Sequence, residues 1–286
     1  MTGARASLAT LVALACWACG QPHVPRSTGR PGDHRGPKGR EPTVRVHLRS
    51  VDEHRTSLKV EGKQGLRAHA PEFAFETAGP VELRFGPSQA RGRIRLTAGD
   101  GPVRTARRLT LSAGGGVVVV DGWAYAGVLH WAQGRLVLHV TLENYVLGVL
   151  RGELPLPEVP PEAAGALAIA VRSYTLNYLE KKRPDFDLDD TTLYQRYVGL
   201  RYAPDDDDLR TGVQRTSGLY LSYAGRPLKA YYHSTCGGAT TDAPTGLSRP
   251  GAPPLRSVVC DFCKASKYYR WTVRLTDAEI LKAARG

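Results

Sequence analysis

A hydrophobic pattern with helical spacing covers residues 142–182, and a short loop at residues 152–155 interrupts it. Before the loop, apolar side chains recur on one helical face, at Leu142, Tyr145, Val146, Val149 and Leu150. Gly152 and Pro155 predict the end of this helix. We therefore expect Glu153 just past a helix C-terminus, where the helix carbonyls and neighbouring leucine side chains favour a protonated carboxyl group.

A second helix is predicted after the loop. It opens with Pro160, Pro161 and Glu162, since proline suits the first helical turn and an acidic side chain there complements the helix dipole. Its apolar face comprises Ala164, Leu167, Ala168, Val171, Tyr174, Thr175 and Tyr178. The residue before Pro184 avoids the helical region, which predicts the end of the helix there.

Short alternating runs typical of β-strands fill residues 44–140. Turn residues separate these runs at Gly86-Pro87, at 99–101 and at 114–116. Residues 218–233 predict a hairpin whose two-residue turn is Ala224-Gly225. The pattern as a whole predicts an α+β fold, a β-rich scaffold with a helical insert around residues 142–182.

Composition adds a strong positive charge to this picture. The chain has 39 Lys and Arg residues against 27 Asp and Glu residues, and its net charge is +12. Such a charge attracts nucleic acids, but it attracts anionic cell-wall polymers equally well. The sequence contains no zinc-finger, helix-turn-helix or RNA-binding signature, so we expect no nucleic-acid partner.

The first 19 residues have the features of a bacterial export signal, with one arginine, a short apolar run and then small residues. The apolar run is too short to span a bilayer as a mature helix. Residues 18–21 resemble a lipoprotein cleavage site, which makes Cys19 the expected lipidated N-terminus. Simple secretion and a retained membrane anchor are the alternatives. We expect an extracytoplasmic protein, anchored in the membrane through its lipid.

Residues 20–43 are rich in proline, glycine and basic side chains and have almost nothing to bury, which predicts a disordered linker. The remainder, residues 44–286, is long enough for one large domain. Its β-rich part is residues 44–140, and residues 141–286 carry the motifs described next.

Three ordered segments of the chain resemble the stage II sporulation protein D family, which includes the amidase enhancers. The first is ENYVLGVLRGELP followed by PPEAAGALAIAVRSYTLNY. The second is FDLDDTTLYQRYVG at 186–199, and the third is TSGLYLSYAGRPLKAYYHSTCGG at 216–238. The β-rich part also resembles the region that precedes the motif in this family. Leu154 departs from the pattern, in which methionine is usual.

The resemblance implies a lytic transglycosylase that cleaves peptidoglycan glycan strands, with Glu153 as its acid/base residue. One glutamate suffices because the 6-hydroxyl of the substrate attacks the anomeric carbon, whereas hydrolytic glycosidases usually need a second carboxylate. Arg172 and Tyr174 are candidates for positioning the substrate, and Gln195 and Tyr197 for contacting a sugar. A structural role is the alternative for Arg172, and a buried structural role for Gln195 and Tyr197.

A non-catalytic function is the alternative for the whole chain, as an amidase enhancer or a peptidoglycan-binding lipoprotein. Family members generally continue into a G-H-G-x-G-x-S-Q-type segment, and the sequence up to Gly286 contains none. The expected partners are peptidoglycan glycan strands, a cell-wall amidase and the membrane, reached through the lipid anchor.

A metal site is predicted from H-x2-C followed, 24 positions on, by C-x2-C. The four ligands would be His233, Cys236, Cys260 and Cys263, which suit tetrahedral structural zinc. A disulfide or free thiols are the alternatives for the cysteines. The acidic run 205–208 does not have the spacing of a calcium loop, which predicts a solvated loop there.

Overall fold

The computed structural model describes residues 41–53, 55–85, 92–154, 159–201, 206–242 and 253–284. The expected signal segment, Cys19, the linker up to residue 40 and the turn at Gly86-Pro87 lie outside the described residues. Two compact units divide the chain, and the boundary falls between Tyr231 and Tyr232. The first unit holds both predicted helices, and the second holds the predicted metal ligands.

Strands dominate the first unit up to residue 141. They are β1 (Thr43–His47), β2 (Ser57–Gly62), β3 (Leu66–Ala70), β4 (Phe73–Thr77), β5 (Val81–Arg84), β6 (Ile94–Ala98), β7 (Arg104–Ala106), β8 (Arg108–Ala113), β9 (Val117–Val120), β10 (Trp123–Ala126), β11 (Val128–Ala132) and β12 (Arg135–Thr141). A one-turn helix, α1 (Arg49–Asp52), follows β1.

The helical part of the first unit follows β12 directly. Its elements are α2 (Leu142–Glu153), α3 (Pro161–Leu179), β13 (Leu188–Asp189), α4 (Asp207–Arg215), β14 (Ser222–Tyr223) and β15 (Arg226–Pro227). The second unit contributes α5 (Asp277–Ala284) and two short 3-10 turns. In the described part of the chain, no helix is both long and apolar enough to cross a membrane.

Two sheets of the first unit enclose its core. One has seven strands in the order β13-β1-β12-β11-β8-β3-β4, and the other has six in the order β10-β9-β2-β5-β6-β7. The pairs are antiparallel except β1 with β13, which are parallel. Alternate strand residues such as Val44 and Val46 are fully buried, because successive side chains of a strand point to opposite faces. The expected α+β, β-rich fold is confirmed.

The two predicted helices are present, with one correction to their bounds. Glu153 is the last residue of α2 and does not follow it, and the Leu154 N–H still donates to the carbonyl of Leu150. The second helix starts at Pro161 as expected and ends at Leu179, a few residues before Pro184. The predicted two-residue turn is also present. Ala224 and Gly225 have φ angles of 50° and 75°, as a hairpin turn of this type requires.

A buried ion pair joins α2 to the start of α4. Arg151 and Asp206 are both completely buried, and the Nε group of Arg151 donates to Oδ2 of Asp206 at 2.6 Å. Asp206 also accepts from Arg210, and Arg151 donates to the carbonyl of Gly199. The expectation of a solvated loop is therefore wrong at Asp206 and at the two following aspartates, which begin a helix. The sequence concealed this because the basic partner of Asp206 lies 55 positions away.

Candidate active site and cysteine cluster

Glu153 presents an exposed carboxylate at the end of a buried helix. Residues 145–151 of α2 are all buried, whereas the side chain of Glu153 is exposed. Its Oε1 atom accepts a hydrogen bond of 2.9 Å from the backbone N–H of Arg196. Among the described residues Oε2 has no hydrogen-bond partner. One oxygen of this exposed carboxylate is thus held in place by the backbone.

The expected apolar enclosure of this carboxylate is not what the structure shows. Leu150 is fully buried and packs away from solvent, and Leu154 is half-buried. Leu156 and the prolines 155 and 157 lie outside the described residues. The Glu153 carboxyl group is therefore exposed and is not enclosed by leucine side chains. The error arises because a helix end at the surface turns the last residue of an otherwise buried helix towards water.

Arg196, whose N–H binds Glu153, is anchored in the core by the two residues next to it in the sequence, Gln195 and Tyr197. Gln195 is 1% exposed, and its Oε1 atom accepts from Tyr145 at 3.3 Å and from Thr175 at 3.1 Å. Tyr197 is buried and stacks on Tyr145, with ring centroids 5.1 Å apart. Burial raises the pKa of the Tyr197 hydroxyl, with a smaller contribution from Tyr125. Both side chains are buried, which favours the structural alternative for them, and they flank the Arg196 N–H on either side in the sequence.

Two glycines let this segment lie against α2. A Cβ atom at Gly148 would come within 2.4 Å of the Tyr197 ring, and one at Gly152 within 2.2 Å of the Arg196 carbonyl oxygen. Val198 then donates its N–H to the Gly148 carbonyl at 3.2 Å. The Arg196 side chain donates to the Gly152 carbonyl at 3.1 Å. The glycines therefore form a groove in α2 that seats residues 196–198 beside Glu153.

Gly152→Ala is expected to destabilise the protein by about 1–3 kcal/mol, the usual cost of forcing extra atoms into a packed site. Helix propensity alone predicts the opposite sign, because alanine is favoured over glycine inside a helix by about 1 kcal/mol. Urea unfolding followed by circular dichroism measures the difference. Gly165→Ala in α3 is the matched control, since its Cβ would come no closer than 3.1 Å to the Thr216 methyl group and 3.4 Å to the Gly212 carbonyl oxygen. If the Gly152→Ala variant is as stable as the wild type, the close packing of Gly152 against the Arg196 carbonyl is wrong.

Arg172 ties α3 to α2 and is almost completely buried. It donates from Nε and Nη2 to the two carboxylate oxygens of Glu143, at 2.8 and 2.6 Å. Its Nη1 donates to the carbonyl of Leu219 at 2.7 Å. Every nitrogen of its guanidinium group has a protein partner and the side chain is 1% exposed. This geometry favours the structural alternative for Arg172 over contact with a substrate.

Tyr174 lies among other tyrosines near the end of α3. Its ring is tilted against Tyr178, with centroids 5.0 Å apart, and meets Tyr231 edge-on. The side chain is 6% exposed. Among the four candidates for substrate contact, Gln195 and Tyr197 lie next to the Arg196 N–H that holds Glu153. Arg172 instead pairs with Glu143 of α2, and Tyr174 packs against Tyr178 and Tyr231. Arg196, which sequence reasoning did not single out, is the residue that touches Glu153. It was missed because its contact uses the backbone N–H, which every residue type except proline offers.

In the second unit, three of the four predicted metal ligands form a cluster. The Sγ atoms of Cys236, Cys260 and Cys263 all lie within 4.8 Å of one another. Those of Cys236 and Cys263 are 3.5 Å apart, too far for a disulfide of about 2.05 Å. Thiolates about 2.3 Å from a tetrahedral zinc ion are about 3.8 Å from one another. The three cysteines therefore fit a metal ion of this kind.

His233, the fourth predicted ligand, is exposed and is not part of this cluster. Cys260 and Cys263 are buried, and Cys236 is half-buried. Burial, followed by the nearby Cys260 and Cys263 thiols, raises the pKa of the Cys236 thiol to about 11, although a backbone hydrogen bond at Gly238 opposes the rise. Crowded thiols of this kind become thiolates when a cation binds, because only the thiolate is a metal ligand.

Comparisons with known proteins add a family to this geometry. Residues 132–223, which include α2, α3 and the segment 195–199, match the family model described as stage II sporulation protein. Stage II sporulation protein D of Bacillus subtilis is 31% identical over 157 residues, which are 50% of this chain and 45% of that protein. The protein of the same name from Bacillus amyloliquefaciens is 31% identical over 147 residues, which cover 46% of this chain and 42% of its own length.

An uncharacterized protein of Brachyspira hyodysenteriae is 33% identical over 147 residues, which are 51% of this chain and 39% of that protein. The chain thus spans less than half the length of each of these curated relatives. The matched region contains Glu153, Gly148, Gly152 and all four candidates for substrate contact. The resemblance expected from the sequence motifs is confirmed: over this region the chain is similar to the stage II sporulation protein D family.

Proposed function

We propose that the chain is an exported cell-wall protein that cleaves peptidoglycan glycan strands as a lytic transglycosylase, with Glu153 as its acid/base residue. One observation supports this most directly. The Glu153 carboxylate is exposed, yet a backbone N–H from a segment anchored in the core holds one of its oxygens. A carboxyl group that is both accessible and fixed is what general acid–base catalysis needs.

The proposed reaction uses this one carboxyl group twice. The protonated Glu153 donates its proton to the glycosidic oxygen as the bond from that oxygen to the anomeric carbon breaks. The 6-hydroxyl of the same sugar attacks the anomeric carbon and returns its proton to the carboxylate. The products are a strand with a 1,6-anhydro end and a strand with a new free hydroxyl. No water is consumed, so no second carboxylate is required to activate it.

Each supporting residue has a defined task in this proposal. Gln195 and Tyr197 keep the Arg196 N–H in position, and through it the Oε1 atom of Glu153. The glycine groove of α2 allows that segment to approach, and Arg172 holds α2 against α3. The Arg196 N–H donates to Oε1 of Glu153 at 2.9 Å and so keeps the carboxyl group in one orientation.

Mass spectrometry of purified glycan strands after incubation with the protein tests the proposal. We expect fragments with 1,6-anhydro ends to accumulate with time. Fragments with ordinary reducing ends would show hydrolysis, and strands returned intact would leave a non-catalytic binding role, such as that of an amidase enhancer. Either of these results would reject the transglycosylase.

We also propose that Cys236, Cys260 and Cys263 hold a structural zinc ion. The ion would join the segment after the predicted hairpin to the CDFC turn, since Cys236 lies in the former and Cys260 and Cys263 in the latter. The donor set supports this assignment, because soft thiolates select zinc over hard cations. The exposed position of His233 leaves the fourth ligand unassigned.

Elemental analysis of purified protein is expected to find about one zinc ion per chain. Metal binding to such a site is coupled to folding, so a chelator should lower the melting temperature of the protein. The Cys263→Ser variant should lose the ion, whereas His233→Ala, which removes an exposed side chain outside the cluster, should retain it. Wild-type protein that folds without metal and melts at the same temperature with and without chelator would contradict the assignment.

The proposed location is the extracytoplasmic side of the membrane, with Cys19 as the lipid anchor. The net charge of +12 supports attraction to an anionic envelope. A cell-wall amidase is the proposed protein partner. Neither proposal depends on whether Glu153 is catalytic.

A further inference from the structure

Three cationic side chains converge on one tyrosine ring of the first unit. The Nζ atom of Lys181 lies 3.8 Å from the ring centroid of Tyr178, and that of Lys229 lies 5.1 Å from it. The guanidinium carbon of Arg183 lies 5.3 Å from the same centroid. We call these four residues, together with Tyr194, the cation–tyrosine cluster. It draws on three separate segments of the chain: Tyr178, Lys181 and Arg183 lie at or just after the end of α3, Tyr194 follows β13, and Lys229 follows β15.

Within the part of the chain that the structure describes, no carboxylate lies at ion-pair distance from these cations, although Asp187 acts on Arg183 from farther away. Lys181, which is exposed, and the half-buried Arg183 and Lys229 form no ion pair there. By contrast, Arg45, Arg151 and Arg172 of the same unit are each paired with an acid. Each charge lies within 5.3 Å of the same ring centroid, so the repulsion among the three is only partly screened at physiological salt, where the Debye length is about 8 Å. A tyrosine ring offers each cation only a weak attraction.

The tyrosines beneath these cations form a firm base. Tyr178 is 7% exposed, and its ring contacts Tyr174 at 5.0 Å and Tyr194 at 5.2 Å. The hydroxyl of Tyr194 accepts a hydrogen bond of 2.7 Å from Arg183. Lys229 is half-buried and lies 4.8 Å from the Tyr231 ring centroid. Arg183 and Lys229 are therefore half-buried against packed tyrosine rings, whereas Lys181 is exposed and lies over the Tyr178 ring.

The charges of Lys229 and Lys181 both act on the hydroxyl of Tyr178. Burial alone would raise the pKa of its hydroxyl, but hydrogen bonds with Tyr174 and Lys229 and the charges of Lys229 and Lys181 lower it overall. A phenol whose ionised form is favoured in this way lies where a negative charge is stabilised.

We propose that the cation–tyrosine cluster binds an oxyanion, a phosphate or carboxylate group carried by an anionic cell-envelope glycopolymer. A single phosphate or carboxylate offers several acceptor oxygens to donors that approach from different sides, and it relieves the repulsion among the three cations. Lys181 covers a face of the Tyr178 ring, so a neutral sugar does not have that face to stack upon. The site is selective for charge, which glycan cleavage at Glu153 does not require.

The simplest other explanation covers only part of the cluster. Lys181 and Arg183 follow the C-terminus of α3, where cations complement the helix dipole. Lys229 belongs to a different segment, so the end of α3 does not account for its position. Its approach to Tyr178 and Tyr231 adds a third positive charge to those of Lys181 and Arg183 around the Tyr178 ring.

Calorimetric titration of the full chain with inorganic phosphate and with acetate, at constant ionic strength in chloride, tests the proposal. We expect saturable binding to one site per chain. The variant Lys181→Gln/Lys229→Gln should bind about tenfold more weakly or worse, on the order expected for the loss of charge-assisted contacts. Tighter binding of phosphate than of acetate would identify a phosphodiester polymer as the source of the anion, and the reverse would identify a carboxylated one.

The matched control is Lys63→Gln/Lys267→Gln, which removes the same net charge from exposed positions elsewhere. It should bind phosphate as the wild type does. If the two double variants weaken binding equally, the interaction is with the net charge of the protein and the site is rejected. Absence of saturable binding to either anion would reject it too. A circular dichroism spectrum and melting curve for each variant show whether the fold is retained.

Discussion

Glu153→Gln is expected to lower the release of anhydro-ended glycan fragments by about 10²–10⁴-fold, the usual contribution of a general acid–base residue. The amide keeps the size of the side chain, and its oxygen still accepts from the Arg196 N–H. It has no proton to donate to the leaving oxygen and cannot take one back from the 6-hydroxyl. Because Glu153 is exposed and contributes no burial, the stability of the fold and the affinity for glycan should change little.

The experiment is a time course of fragment release by wild type and variant at equal concentrations, with binding to insoluble peptidoglycan measured in parallel. Glu76→Gln is the matched control, since Glu76 is an exposed acid on β4 with 71% of its side chain accessible. It should cleave at the wild-type rate. Equal rates for wild type and Glu153→Gln would show that another group donates the proton, while loss of binding together with loss of cleavage would show that Glu153 holds substrate.

Asp206→Asn is expected to destabilise the first unit by about 3–5 kcal/mol, the usual effect of removing one partner from a buried ion pair. Asp206 and Arg151 are completely buried, and the variant would leave the Arg151 charge uncompensated. Burial lowers the pKa of Arg151, and Asp206 is the main group that opposes this effect. A guanidinium remains charged at any pH at which proteins fold, so the variant cannot escape the cost by losing a proton.

Asp208→Asn is the control for that prediction, because Asp208 is exposed in the first turn of the same helix, α4. It should cost no more than about 1 kcal/mol through the helix dipole. Chemical denaturation of both variants gives the two free energies of unfolding. If they agree within error, the buried pair does not stabilise the fold. We expect Asp206→Asn also to slow cleavage, since Arg151 donates to the carbonyl of Gly199, at the end of the segment that holds Glu153.

The sequence predicted the elements of this fold well where the signals are local. Alternation and turn residues indicate strands between residues 44 and 140, and helical periodicity locates α2 and α3. The pairing of those strands was not predictable in the same way. The register of Val46 with Leu188, for example, joins residues from opposite ends of the first unit. Nothing in the short segment around Leu188 distinguishes a buried strand from an irregular loop.

The candidate site shows the same division between local and distant information. Glu153 was identifiable because its helix, its loop and the family motif all lie within a few residues of it. The roles of its neighbours depend on contacts across the fold. Gln195 and Tyr197 are polar or aromatic side chains that suit sugar binding, and only their burial shows that they hold a backbone segment. The same holds for Gly148 and Gly152. The sequence does not show why glycine is needed there, because the reason is the close approach of Tyr197 and Arg196 in the folded chain.

The parallel pairing of β1 with β13 determines which fragments of this chain can fold. Arg45, in β1, donates from its backbone N–H to Asp187, which lies 142 positions later in the sequence. In a fragment that ends before residue 188, β1 becomes an edge strand with open backbone donors and acceptors, a template for aggregation. Contacts this distant in sequence also slow folding, because a long loop must close before they form. The β-rich part therefore depends on the motif-bearing part for its own solubility, and the two should be expressed together.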